Sequence, residues 1–379
     1  MSNKVGFVVY NEYPGLLPSG GIGVFVKNLT EGMVQNNLSA EVLLIVEDIP
    51  IMKNKEINGV PIHILHIKNA SNPLKALFNK LTLIRKIEQI VKEREIDILE
   101  ISTSDTFLMR PVKNTTVLAR THGSLSYALK NYYKNIGFVS KWIQLRHEKV
   151  LLKQAKHIIA ISNQYFEHYT KYKDKLLLIE NFIGPEYYQS QKGIIHKGKP
   201  YIFFHGTLKD IKGVKELANA FVLSGLGQDY DLVMAGKTSA NMLTEIKNIC
   251  GDCFIYLGEC NSSRLIVYLQ NASLCVYPSK RDAFNLAVVE AMSQGSLVLV
   301  SDAIDAHIIQ NGKNGFRFPT WDFKNLGSYI KQCLELCTEN KMAITANAKY
   351  DVEQKYSYLV GIRNNAKLYN NLLNYIHEN

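Results

Sequence analysis

The chain has 379 residues, 46% apolar and 21% charged, and carries a net charge of +10. That balance belongs to a folded globular protein of two or three domains and excludes a disordered or fibrous chain. No apolar run approaches the ~18–20 residues of a membrane-spanning helix, and Lys4 leads straight into a strand-like run rather than a secretory leader, so a cytoplasmic protein is expected.

From the N-terminus, short β-branched runs alternate with helical stretches. Strands are predicted at 5–10, 41–46, 61–67, 98–102, 116–121, 157–161 and 176–179, with helices at 24–36, 73–94, 141–153 and 163–172. Residues 184–199 break this pattern with Pro185, Gly193 and Gly198 and read as a linker. A second series follows at 201–205, 230–235, 253–257, 274–277, 297–300 and 316–318, and a helical tail closes the chain. Strands apolar on both faces, alternating with helices, predict parallel sheets. The expected architecture is α/β, with two Rossmann-like doubly wound domains (1–183 and 200–355) facing a cleft. Ligands in such sheets sit at the carboxyl ends of the strands.

Charge is unevenly divided. Residues 1–183 carry 24 basic and 16 acidic side chains, against 20 and 18 in the remainder. Within 124–175 there are ten basic and three acidic residues, interleaved with Tyr127, Tyr132, Tyr133, Phe138 and Trp142. This segment is expected to form a surface for an anionic membrane, or else a solvated basic face with buried aromatics. No nucleic-acid recognition motif accompanies it, so no nucleic-acid partner is expected. The six cysteines all lie between Cys250 and Cys337, and they read as structural thiols rather than a zinc site.

Four stretches can carry chemistry. Ser19-Gly20-Gly21-Ile22-Gly23 opens a helix whose amides can bind phosphate, or it is a flexible turn. A dinucleotide fingerprint fails there: Val26 replaces the third glycine, and the loop after Tyr10 is too long. His122-Gly123 ends a strand, where the imidazole can reach a substrate oxygen or serve the structure. Lys212, in the stretch from Phe204 to Gly213 that opens a helix at 214–220, can neutralise a diphosphate, or is a surface lysine. The strongest stretch runs from Pro278 to Met292, with a helix predicted to start near Ala283. Glu290 is the one carboxylate in its apolar run, suited to ribose hydroxyls or to a buried Lys or Arg. Asp282 is either an N-cap or a sugar contact.

In order and spacing these stretches resemble the retaining glycosyltransferases of two-Rossmann-domain (GT-B) architecture, specifically glycosyltransferase family 4. The likeness extends through Ile159-Ala160-Ile161-Ser162, Ile179-Glu180-Asn181-Phe182 and Val233-Met234-Ala235-Gly236, and is densest from Tyr277 to Val300. The resemblance implies a nucleotide-sugar donor held by the second domain. Glu290 is then the ribose ligand, and Asp282 with the amides of Phe284, Asn285 and Leu286 meets sugar and phosphate. Lys212 stabilises the leaving diphosphate, and His122 reaches the donor sugar from the first domain. Gly20, Gly21 and Thr207 complete the donor-binding set. Residues 356–379 are expected to return to the first domain. No cofactor or essential metal is implied; the donor is a substrate, the acceptor is a glycan or lipid-linked hydroxyl, and the protein is expected in the cytoplasm, peripheral at the inner face of the membrane. Two departures stand out. Asp282 replaces the first of the family's paired glutamates, and Thr207 replaces an arginine, whose charge Lys209 or Arg281 would have to supply. They leave a rival: a non-catalytic GT-B partner subunit of a glycosyltransferase complex.

Overall fold

A computed structural model describes residues 3–18, 20–49, 52–68, 70, 72–131, 137–189, 198–282 and 284–378. The chain divides into two compact units, one of residues 1–181 with 361–379 and the other of 182–360. Each is an α/β unit with a largely parallel sheet.

In the first unit the order is β1 (Lys4–Tyr10), α1 (Gly21–Gln35), β2 (Ser39–Glu47), β3 (Lys55–Ile57), β4 (Val60–Ile67), α2 (Pro73–Arg94) and β5 (Ile98–Ser102). Then come β6 (Thr116–Arg120), α3 (Leu125–Asn131), α4 (Phe138–Gln154), β7 (His157–Ala160), α5 (Asn163–His168) and β8 (Leu176–Leu178). The sheet order is β3-β4-β2-β1-β5-β6-β7-β8, parallel except for the β3–β4 pair. Sequence reading missed β3, because Lys-Glu-Ile on a solvated edge has no apolar alternation. The central strands are apolar on both faces: Val42, Leu43, Leu44 and Ile45 of β2 are fully buried.

The second unit contains β9 (Tyr201–His205), α6 (Val214–Leu223), β10 (Asp231–Ala235), α7 (Ala240–Cys250), β11 (Phe254–Tyr256), α8 (Ser262–Asn271) and β12 (Leu274–Tyr277). It continues with α9 (Leu286–Ser293), β13 (Val298–Ser301), β14 (Phe316–Phe318), α10 (Leu326–Leu334) and α11 (Thr338–Asp351). Its sheet runs β11-β10-β9-β12-β13-β14, all parallel. Residues 182–189, of which 184–189 fall within the expected linker, belong to this unit, and Pro185–Tyr188 form a 3-10 turn with Tyr187 buried. Residues 190–197 of that linker lie outside the described residues. Cys250 and Cys275 are buried, and burial pushes both thiols up to about 12. Among the described residues no three His, Cys, Asp or Glu side chains group as metal ligands.

The last helix, α12 (Tyr358–Glu378), belongs to the first unit from Gly361 onward. Its anchor is a buried ionic knot. Arg120, fully buried, donates from Nε to Glu100 Oε1 at 2.6 Å and from Nη2 to Asn365 Oδ1 at 2.6 Å. The Tyr369 hydroxyl donates to Glu100 Oε2 at 2.8 Å, and its ring packs edge-on against Phe7.

Two other buried groups of this unit make its stability depend on pH. His147 accepts from the Leu108 N–H at Nδ1 and donates from Nε2 to the Ser102 carbonyl, both at 3.1 Å, which fixes a neutral ring. Burial, with the Lys80 charge adding to it, brings His147 down from 6.5 to about 4. The unfolded chain therefore binds the extra proton, and stability is lost as pH falls from 6.5 to 4, by up to about 3 kcal/mol. Burial alone would raise the Glu41 carboxyl, but hydrogen bonds from His63 and Arg94 outweigh it and hold it at about 2. Its contribution is present above 4.5 and lost as pH falls towards 2. Because Arg94 is partly in water, that contribution is only ~1 kcal/mol. Melting curves across pH should show His147→Gln flattening the slope between 6.5 and 4. Parallel slopes for variant and wild type would remove His147 from this account.

Candidate active site

Three strand ends of the second unit meet through close loop contacts. Gly213, at φ +69°, lies so near the loop after β12 that a Cβ would overlap the Pro278 carbonyl oxygen. Gly236, at φ +128°, lies equally near the Gly206 carbonyl. Both positions need glycine for conformation and for space. The Lys280 N–H donates to the Ile211 carbonyl at 2.9 Å, and Lys280 Nζ is paired with Asp210 at 3.0 Å and Glu216 at 2.6 Å. The loops after β9 and β12 are thereby tied at the carboxyl edge of the sheet.

On this frame the structure brings Lys212 and Asp282 together, with Nζ to Oδ2 at 2.5 Å and both side chains only partly exposed. Lys212 is thus not a solvated surface lysine. Asp282 is not the N-cap of α9 either, since the helix begins three residues after the expected Ala283 and Asn285 takes the cap position. Asn285 makes no side-chain cap hydrogen bond, so the first-turn amides of α9 have no side-chain acceptor at the cap. Ala283 itself lies outside the described residues. Phe284 is buried edge-on to Tyr356, and Leu286 opens the helix. Thr207 is half-buried at the turn after β9, where its carbonyl accepts from the Lys209 N–H; Lys209 is exposed.

Glu290 sits one turn into α9 and is largely buried. Its partners among the described residues are neither Lys nor Arg: His205 Nε2 lies 2.9 Å from Oε2, and the Tyr187 hydroxyl also bonds the carboxylate. Tyr277 closes the chain, its hydroxyl 2.8 Å from His205 Nδ1. With the hydroxyl donating to Nδ1, Nε2–H is left to donate to Glu290. Burial first, then the Glu290 charge, pushes the Tyr187 hydroxyl well above its ordinary value, so it stays a donor. A carboxylate offers about four lone-pair sites. Two are used here, which leaves two for hydroxyls of a ligand. His205, Tyr277 and Tyr187 went unread in the sequence, although a polar His and Tyr ending two apolar strands were the available signal.

The remaining expected residues lie in the first unit. His122 follows β6, half-buried, with its ring edge-on to Phe25 at 5.1 Å. Desolvation, then the Arg120 charge, brings it well below its ordinary value, so it is a neutral hydrogen-bonding group. The glycine loop differs from expectation. The Gly20 N–H donates to Glu12 Oε2 at 2.6 Å, and Gly23 also donates to Glu12. The acceptor at this helix start is the protein's own carboxylate, so the Gly20 amide is already satisfied; Gly21 is the first residue of α1. Burial, then the Glu12 charge, raises nearby Asp105 to about 8.

Residues 19–187 match the family described as Glycosyltransferase Family 4, and residues 188–350 match Glycosyl transferases group 1. Among curated relatives, an uncharacterised glycosyltransferase of Methanocaldococcus jannaschii is 24% identical over 94% of this chain and 95% of its own. The N,N'-diacetylbacillosaminyl-diphospho-undecaprenol alpha-1,3-N-acetylgalactosaminyltransferase of Campylobacter jejuni is 22% identical over 95% and 98%. Among solved structures, sucrose-phosphate synthase from Thermosynechococcus elongatus superposes with a TM-score of 0.80 at 15% identity, covering 98% of this chain and 99% of that one. Anabaena HepE, in complex with UDP and glucose, gives 0.72 at 16% identity, covering 96% and 98%. With both halves matched from residue 19 to residue 350, and a parallel-sheet unit in each, the chain belongs to the group 1 glycosyl transferases with a family 4 N-terminal domain: it is a GT-B glycosyltransferase.

Proposed function

We propose that this glycosyltransferase moves a sugar from a nucleotide-diphosphate sugar to an acceptor hydroxyl with retention of anomeric configuration, in the assembly of a cell-surface polysaccharide, lipopolysaccharide or glycolipid. A uridine diphosphate sugar is the donor to try first, because HepE was solved with UDP and glucose. A lipid-linked glycan is the acceptor to try first, because the Campylobacter relative is named for a diphospho-undecaprenol acceptor.

The observation that carries this reading is the Glu290 carboxylate, held by His205 and Tyr187 with acceptor capacity to spare. It is the ribose ligand. The uncapped first turn of α9 meets the diphosphate, and Lys212 takes up the charge that develops as the glycosidic bond breaks. The leaving phosphate oxygen accepts the acceptor proton on the same face, which gives retention without a protein base. His122, neutral, bonds a donor hydroxyl. None of these steps calls for a metal.

Calorimetric titration with UDP tests the assignment. Glu290→Gln should weaken binding at least tenfold, because the amide offers one acceptor oxygen in place of two; equal affinity would take Glu290 out of the site. The rival reading, a partner subunit without turnover, is favoured by the Lys212–Asp282 pair, in which the two charges already satisfy each other. UDP binding without sugar release from any donor would select it.

A further inference from the structure

Helices α2 and α4 both rest on residues 106–109 of the first unit. Lys80 Nζ donates to the Thr106 carbonyl at 2.6 Å, and Arg146 donates to the Met109 carbonyl at 3.1 and 3.2 Å. The Leu108 N–H donates to His147, so both helices are anchored on the same short segment. Each helix leads into a strand of the parallel sheet, β5 or β7, and so runs against the strands and starts at their carboxyl edge. At 1.5 Å per residue, Leu74 lies about 9 Å beyond Lys80 toward that edge, and Phe138 about 13 Å beyond His147.

The ends that reach this edge are apolar and in water. Leu74 is 77% exposed, Phe78 62%, Phe138 83%, Val139 53% and Trp142 52%. Single exposed apolar residues are ordinary, but five on two neighbouring helix starts are not. Their flanks are also free of acid. From 73 to 87 there are four basic residues and no acidic one, and from 124 to 147 again four and none. Lys75 and Lys141 are exposed, whereas the first carboxylate of α4, Glu148, is buried and bonded to Ser124, Ser126 and Tyr169. Apolar anchors ringed by cations fit the boundary of an anionic bilayer, where rings enter the acyl region and ammonium groups meet headgroups.

We propose that the N-terminal ends of α2 and α4 form one docking edge for an anionic lipid bilayer, with Leu74, Phe78, Phe138 and Trp142 inserted. This relocates the surface expected within 124–175. Tyr127 of that segment is half-buried against the rings of Tyr165 and His168, and residues 132–136 lie outside the described residues. Half of the edge comes instead from α2, outside the segment. The inference deepens the acceptor side of the proposed function and rests on that reading only for its purpose, since vesicle binding is measured without any transfer.

The test is sedimentation with phosphatidylglycerol-containing vesicles and with pure phosphatidylcholine, using the full chain carrying Trp321→Phe so that Trp142 is the one remaining indole. Binding should require the anionic lipid, fall as salt rises, and bring a blue shift and bromolipid quenching of Trp142. Leu74→Ser with Phe78→Ser, and separately Phe138→Ser with Trp142→Ser, should each cut the bound fraction at least tenfold while UDP affinity is unchanged. Failure to bind anionic vesicles at low salt overturns the proposal, as does an α2 variant that binds like wild type. Concentration-dependent self-association abolished by the same variants, without vesicle binding, would assign the edge to a second copy and also overturn it. UDP binding stands or falls independently, so loss of this edge leaves the donor site untouched.

Discussion

Lys212→Ala should lower kcat for sugar transfer about 100-fold while the donor KM rises only a few-fold. The reason is timing. In the bound donor the diphosphate charge is shared with the sugar linkage, and it grows as that bond breaks, so a fixed ammonium binds the transition state more tightly than the ground state. The variant also leaves Asp282 without the cation that lies 2.5 Å away, and its charge then opposes the diphosphate. Lys212→Ala combined with Asp282→Asn should therefore recover donor affinity but not kcat. Steady-state kinetics over a donor series would show it. A kcat equal to wild type would place the developing charge on another cation, such as Lys209.

Arg120→Ala should destabilise the first unit by about 3–5 kcal/mol, the usual cost of leaving a buried charge without its partner. Glu100 and Tyr369 share the guanidinium, so its loss strands a carboxylate and a hydroxyl in the core and frees Asn365 of α12. Arg120→Lys keeps the charge but loses the forked geometry, and should fall between wild type and Ala. Urea unfolding, followed by tryptophan fluorescence, reads the change as a shift in midpoint at unchanged slope. A loss below ~1 kcal/mol would mean that solvent or rearrangement satisfies Glu100.

Most of the fold could be read in the sequence because its signal is local. Strands such as β2 and β9 are buried on both faces, so their residues are apolar in unbroken runs, and the helices between them announce parallel crossovers. Elements were lost where that signal is weak. The start of α4 was placed at Lys141 because Phe138 and Val139 are exposed and give no inward stripe. Pro185–Tyr188 reads as linker because proline and glycine mask a segment that buries Tyr187 against Glu290. The site was half legible. Glu290 stood out as a carboxylate in an apolar helix, but its partners come from a strand end 85 residues away and from that supposed linker. The pairing of Lys212 with Asp282, 70 residues apart, and the capture of the Gly20 amide by Glu12 are likewise products of the fold and leave no periodic trace.

The most direct test of the central claim is product analysis with wild-type protein, a series of UDP-sugars and an undecaprenyl-diphosphate-linked glycan. The account predicts UDP release matched by an extended lipid-linked product whose new linkage has the anomeric configuration of the donor. An inverted linkage would contradict the mechanism, and the absence of transfer from every nucleotide sugar offered, UDP-linked or not, would contradict the function.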